Sequence, residues 1–245
     1  MQVVPPLDPD GVHVWSAALP AAEGIVERCR AVLSVDERER AGRMLVPSSR
    51  DLFVVGRGIL RALIGGYLGV LPADVRFAYS AFGRPSVQAD GSRPALQFSV
   101  SHSGALIALA FAREARVGID VERVRTSTDC DAISARFFTP AEQASLAALA
   151  PADRIDAFFA CWTRKEAVLK AVGLGISRGL GRVEVSCHPG AAARVVRSLL
   201  AEVDPAGWAL LDLAAPAGYR SALAVSMAEP RVSLVGEALA VVLSP

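Results

Sequence analysis

Two carboxylates stand out in the segment Gly118-Ile119-Asp120-Val121-Glu122. At spacing two on a strand, Asp120 and Glu122 project from the same face. They repel one another unless a positive charge lies between them. A hard divalent cation accepts such oxygen ligands, and magnesium is commonly held by one or two carboxylates together with substrate phosphates. The alternative is an edge strand with two solvated acids. A second group follows on a helical stretch, where Trp162, Glu166 and Lys170 share one stripe at i, i+4, i+8. Glu166 is a candidate third metal ligand and Lys170 a candidate phosphate contact. An exposed i, i+4 salt bridge explains the spacing equally well. Lys165 and Lys170 are the only lysines in a chain that otherwise uses arginine, and lysine is a compact, mobile charge suited to phosphate contact and proton donation.

A third candidate is Phe98-Ser99-Val100-Ser101-His102-Ser103-Gly104. Its hydroxyls, imidazole and glycine turn can present donors to a phosphate. Ser99 and Ser101 face alike if the segment is a strand, whereas Ser101 and His102 then face apart, which weakens a Ser-His nucleophile and base. There is no G-x-S-x-G elbow and no P-loop. A polar turn with an incidental histidine remains open. The last group is basic: Arg38, Arg40, Arg43 and Arg50 near one helix entry, and Arg84 in a Gly-Arg-Pro turn. Guanidinium groups bind phosphate bidentately, and surface pairing with Glu37 and Glu39 is the competing explanation.

The elements that carry these residues can be read from periodicity and caps. Strands are expected around Val12–Trp15, Val75–Tyr79, Leu96–Ser101, Leu106–Ala112, Val117–Glu122, Val183–Ser186, Trp208–Leu213 and Ala222–Ser226. Ser34 with Glu37, and Thr139-Pro140-Ala141-Glu142, are capping boxes that open helices. A long helix begins near Ser48, with Leu52, Val55, Ile59, Leu60, Leu63 and Tyr67 as its apolar stripe. Another covers about Ala132–Phe138, and one from about Asp153 to Val172 stops at Gly173. Ala191–Val203 reads as helix. Phe82-Gly83-Arg84-Pro85 and Ser103-Gly104 read as turns. Mixed order with hairpins favours an α+β fold over regular βαβ alternation. No letter-level repeat and no linker decides between one domain and two.

The 245 residues suffice for one large or two small cores, and 52% hydrophobic with 21% charged residues describes a globular chain. A net charge of +1 argues against nucleic-acid binding driven by counterion release. The four cysteines, Cys29, Cys130, Cys161 and Cys187, have no C-x-x-C pair. They are expected to be reduced thiols without zinc, in a cytoplasmic protein. The N-terminus lacks a basic n-region and an apolar h-region, so no signal peptide is expected. The longest apolar run, Gly104–Ala112, is too short to span a membrane.

Taken in order, Arg50, Gly83-Arg84-Pro85, Ser101-His102-Ser103-Gly104, Gly118-Ile119-Asp120-Val121-Glu122, Arg136-Phe137-Phe138 with Glu142, and Trp162-x-x-Lys165-Glu166-Ala167 with Lys170 closely resemble the Sfp-type family of 4'-phosphopantetheinyl transferases. The likeness runs from about Arg38 to Ser177, and Ala167 points to the W-x-x-K-E-A branch. The resemblance implies a monomer of two similar α+β subdomains in pseudo-twofold arrangement, 1–115 and 116–245, with the active site at their interface. It implies transfer of 4'-phosphopantetheine from coenzyme A (CoA) to a serine of an apo acyl or peptidyl carrier protein. The site residues it implies are Asp120, Glu122 and Glu166 for Mg2+ (Mn2+ being the other candidate), and Glu166 as general base. Lys170 and Lys165 would contact the diphosphate, with Lys170 assisting the leaving group. Arg50 and His102 would hold the 3'-phosphate, Ser101 the phosphates, and Arg84 the adenosine end. Arg40 would stand in for a family lysine, and Trp162 would support the site from below. Glu142 matches a family acid, but its capping-box position explains it equally well. Carrier contacts are expected near Val124–Leu146. A non-catalytic CoA- or carrier-binding module of the same fold is the alternative.

Overall fold

The computed structural model describes residues 4–80, 83–88, 96–175, 179–188 and 190–243. The chain opens with strand β1 (Gly11–Ala18), followed by helices α1 (Ile25–Ala31), α2 (Val35–Gly42) and α3 (Pro47–Leu68). The hairpin β2 (Phe77–Tyr79) and β3 (Pro85–Val87) comes next, then strands β4 (Gln97–Ser103) and β5 (Leu106–Ala112). The series then starts again with β6 (Val117–Arg123), α4 (Cys130–Phe137), α5 (Pro140–Ala147) and α6 (Pro151–Val172). A second hairpin, β7 (Val183–Val185) and β8 (Val195–Ser198), leads to β9 (Ala209–Leu213) and β10 (Tyr219–Val225). Last come β11 (Arg231–Glu237) and α7 (Leu239–Leu243). The α+β class expected from the sequence is what the elements form.

The two series share one topology. The first sheet has the order β11-β1-β5-β4 and the second β6-β10-β9, so in each the first strand pairs antiparallel with the last of its series, which pairs with the one before it. The helices repeat too. In each half a capping box opens an 8-residue helix, from Ser34 for α2 and Thr139 for α5. A 22-residue helix with proline in its first turn follows and ends on a left-handed glycine, Gly69 or Gly173. Glycine alone takes that conformation without steric cost.

Even the buried charges correspond. Glu37 of the first capping box accepts from Arg61 at 2.6 Å, 24 residues on, and Glu142 of the second accepts from Lys165 at 2.5 Å, 23 residues on. Each cation also donates to backbone carbonyls in the segment beyond its long helix, Arg61 to Pro72 and Val75, and Lys165 to Val183. The repeat is one of roles, not letters, which is why the sequence shows none.

β11 departs from this symmetry. It runs parallel to β1, and α7 packs with α1 and α3, so the end of the chain returns to the first sheet. Neither element was expected, nor was α1. The 191–203 stretch contains strand β8, not a helix: Val195 is buried against the second core, a placement that local propensity does not reveal.

The sheets meet along a seam. Ser99, Ser101 and Ser103 point from β4 toward β6, and their hydroxyls accept the backbone N–H of Ile119, Val121 and Arg123 at 3.1, 3.2 and 3.1 Å. Serine side chains thus do for β6 what strand carbonyls do in a ladder.

Candidate active site

β6 and α6 build the site. Gly118 allows them to approach closely: a Cβ there would lie 2.0 Å from the Ala167 carbonyl oxygen and 2.5 Å from the Ala171 nitrogen. Counting the strands from the capping boxes and the long helices from their terminal glycines, His13 and Tyr67 hold the positions of Gly118 and Ala171 in the first half. There the imidazole Nδ1 meets the Tyr67 hydroxyl at 2.8 Å, and bulky rings separate helix from strand. By the same count Trp15, Ala17, Ala62 and Gly66 stand where the second half has Asp120, Glu122, Glu166 and Lys170. Only the second half therefore carries the acids, and its tight packing brings α6 side chains onto them.

Asp120 is 1% exposed. Its Oδ1 accepts from Ser101 Oγ at 2.8 Å and from Lys170 Nζ at 2.6 Å. Its Oδ2 is buried and has no hydrogen-bond partner among the described residues. A buried carboxylate oxygen without a partner is costly, and it marks a place for a cation. Glu122 accepts from Ser103 Oγ at 2.6 Å, with Arg125 4.0 Å away. The seam serines therefore orient both acids while holding the sheets together.

Glu166 is 7% exposed. Burial first, then the charges of Asp120 and Glu122, push its carboxyl up to about 7, against the pull of Lys170. Burial likewise raises Asp120 against the opposing pull of Lys170, and raises Glu122 against its bond from Ser103. The three acids thus share one electrostatic neighbourhood. A hard divalent cation fits it, since the donors are all oxygens and excess negative charge is buried.

Beside the acids lies a cleft of about 240 Å³. One wall comes from Gly83, Arg84, Pro85 and Phe98–Val100, the other from Lys170, Gly173, Leu174 and Gly175. Arg84 donates to the Ala171 carbonyl at 2.8 Å, tying its turn to the end of α6. Gly83 has φ +76°, as the turn reading requires, while Phe82 of that turn and Ser177 lie outside the described residues. Lys170 belongs to both features, lining the cleft and touching Asp120.

Other expected site residues stand apart. Lys165 is fully buried, bonded to Glu142 and to the Val183 carbonyl, on a different face of α6 from Glu166. Its ammonium is spent on an internal ion pair away from the acids, so the structure does not bring it to a diphosphate. Glu142 in turn accepts from the backbone N–H of Thr139 and Val185, both at 2.8 Å. Ser101 makes one donor and two acceptor bonds, to Asp120, Val121 and Lys170, and so has no hydroxyl capacity left for a phosphate in this state. Arg40 stacks 4.9 Å from the Phe53 ring centroid, and Arg50 lies 3.9 Å from Asp51. His102 sits on the strand between Ser101 and Ser103, and crowding by protein together with Lys170 lowers its pKa. None of these three lines the cleft among the described residues. Trp162 packs among Phe137, Phe138 and Phe158.

A second cluster, missed in the sequence, lies deeper in the same half. Glu142, Cys161 and Cys187 bring ligand-type atoms within 4.8 Å of one another. Glu142 is already engaged by Lys165 and backbone donors, and Cys161 and Cys187, 26 residues apart in sequence, are adjacent where α6 packs on the segment after β7, with Cα atoms 5.0 Å apart. Cys29 and Cys130 are free.

Residues 116–224 match the family model of the 4'-phosphopantetheinyl transferase superfamily, and residues 20–114 match the model for the N-terminal part of a 4'-phosphopantetheinyl transferase. The chain is 37% identical to the 4'-phosphopantetheinyl transferase HetI of Nostoc sp. over 89% of its own length and 88% of that protein's. It is 33% identical to a putative 4'-phosphopantetheinyl transferase of Synechocystis sp., over 70% of this chain and 68% of the relative. A 4'-phosphopantetheinyl transferase of Bacillus subtilis is 31% identical, over 68% and 71% of the two chains.

Proposed function

The chain belongs to the 4'-phosphopantetheinyl transferase superfamily, and we propose that it moves 4'-phosphopantetheine from CoA to a serine of an apo carrier protein at the three-acid site. The observation that carries the assignment to this site is the unpartnered, buried Oδ2 of Asp120, facing a neighbourhood shared with Glu122 and Glu166, at the end of a cleft that Lys170 lines.

In this reaction the serine oxygen forms a bond to the β-phosphorus of CoA, the phosphoanhydride bond breaks, and adenosine 3',5'-bisphosphate leaves. Asp120, Glu122 and Glu166 would hold Mg2+ or Mn2+. When bound, the metal supplies charge neutralisation for the diphosphate and the leaving group. Glu166 accepts the serine proton as general base. Lys170 supports the departing bisphosphate with its ammonium. Arg84, whose turn forms a cleft wall, meets the nucleotide end of CoA. Arg50, His102 and Arg40 do not line the cleft, and only the order of the motifs assigns the first two to the 3'-phosphate and Arg40 to a further contact with CoA. Ser101 acts mainly by orienting Asp120 and Lys170.

Both walls of the cleft come from one chain, which supports action as a monomer. The described residues include no helix long and apolar enough to cross a membrane, and CoA as substrate supports a cytoplasmic setting. The test is incubation with CoA, magnesium and apo carrier proteins of several classes, read by intact mass. A phosphopantetheine addition on the carrier serine is expected. Binding of CoA and carrier without any addition would point to the non-catalytic module instead.

A further inference from the structure

Lys170 bridges two parts of the site that substrate must join. Its Nζ lies 2.6 Å from Asp120 Oδ1 and 2.8 Å from Ser101 Oγ, yet the residue also forms part of the cleft wall. Ser101 is locked in turn by Val121 N–H and by its own bond to Asp120. The ammonium therefore has a built seat, with two oxygen partners in place. Among the described residues, that seat takes up one oxygen of Asp120 while the other is left without a partner. A cation bound by Asp120 in this state would sit against a second full positive charge. At such range two positive charges repel strongly at the effective dielectric of a protein site.

We propose, building on the transferase reading, that Lys170 is a resident counter-cation of the acid site. It occupies Asp120 when no diphosphate is bound and crosses to the diphosphate when CoA fills the cleft. The metal then enters a site that the substrate has vacated for it. Binding of metal and CoA is coupled through this one side chain. The diphosphate draws the ammonium away from Asp120, and by linkage the metal favours the conformer that grips CoA. The free enzyme binds metal weakly because its competent state, with Lys170 swung out, is only fractionally populated. No bond is made or broken in the exchange; one ion pair replaces another.

The test is calorimetric titration of magnesium into the folded full-length protein without CoA, for the wild type, Lys170→Gln, Lys170→Arg and Arg125→Gln. If Lys170 is seated nine-tenths of the time or more, its removal tightens magnesium binding by about tenfold or more. Lys170→Arg keeps a cation in the seat and stays as weak as the wild type. Arg125→Gln removes a charge 4.0 Å from Glu122 without touching Asp120, and moves the affinity much less. Repeating the titration with CoA present should strengthen magnesium binding markedly in the wild type and less so in Lys170→Gln. Equal effects of Lys170→Gln and Arg125→Gln would mean general electrostatics and overturn the proposal, as would an unchanged magnesium affinity in Lys170→Gln. A carrier mass-shift assay on the same wild-type sample separates the two levels. Turnover without the exchange defeats only the counter-cation, whereas absence of turnover with every carrier defeats the transferase reading.

Discussion

Glu166 shows how far a single side chain can depend on its surroundings. Without a metal its carboxyl lies near 7 against an ordinary 4.5, because of burial and the acids beside it. The folded state therefore holds this proton more tightly than the unfolded chain does. Below about pH 4.5 both states are protonated and nothing is gained or lost. As pH rises from about 4.5 to about 7 the unfolded chain releases this proton while the folded protein still holds it, so stability falls and then levels off. The loss is about 3 kcal/mol at most, and Asp120 and Glu122 act in the same sense. Thermal melts in a chelator should thus show the melting temperature dropping across this window, with the slope much reduced in Glu166→Gln. Magnesium should reverse the drop in the wild type. A flat profile in the wild type would contradict the burial of this charge. The same substitution should lower transfer by about 10²–10⁴-fold, as loss of a general acid–base group does, measured as kcat on an apo carrier. The acids and their spacing were legible in the sequence, since parity on a strand is strict. The roles of the neighbouring lysines were not. Lys165 and Glu166 are adjacent on a helix and so diverge in direction, but nothing local says which of the two turns toward the sheet.

The decisive event at the level of elements is the closeness of α6 to β6. Gly118 and the alanines at 167 and 171 let backbone approach backbone, and this gives Lys170 its reach. Gly118→Ala places a methyl within 2.0 Å of the Ala167 carbonyl. It should destabilise by about 1–3 kcal/mol through forced overpacking, and transfer should fall by more than the loss of folded protein explains. Wild-type activity and melting in this variant would mean that the spacing does not matter. Lys165→Met offers a contrast. It leaves the Glu142 charge buried without its partner, so a loss of about 3–5 kcal/mol is expected. The KM for CoA, measured on folded enzyme, should stay close to the wild-type value because the ammonium of Lys165 bonds to Glu142 and Val183, neither of which lines the cleft. A large rise in that KM would restore the diphosphate role that the motif alone suggests. The glycine stop at Gly173 made the end of α6 readable to the residue, while the starts of both long helices were read one or two residues late. β11 escaped because its burial pattern is mostly exposed and shows no alternation. β8 escaped because only tertiary packing identifies its buried side.

For the whole molecule, the question is how two halves of like topology hold one asymmetric site. Their likeness was hidden in the letters, since Arg61 and Lys165, or Trp15 and Asp120, share positions but not types. What joins them is the serine seam, where hydroxyls on β4 satisfy the N–H groups of β6. The spacing-two serines could be read from sequence as one face, but their partner strand could not, because the pairing is long-range. Ser99 is the seam member that touches neither acid. Ser99→Ala should strand the buried Ile119 N–H and cost about 1–3 kcal/mol. Faster hydrogen exchange should appear first at the Ile119 amide and its neighbours on β6. CoA bound as proposed in the cleft between the halves should oppose this loosening. At a hundredfold excess over its Kd, a ligand adds about 2.7 kcal/mol to stability, enough to restore the variant's melting temperature to roughly that of the ligand-free wild type. If Ser99→Ala melts and exchanges like the wild type, the sheets are held by their apolar packing alone. The serines would then serve the site only through Ser101 and Ser103, as orienting groups for Asp120 and Glu122.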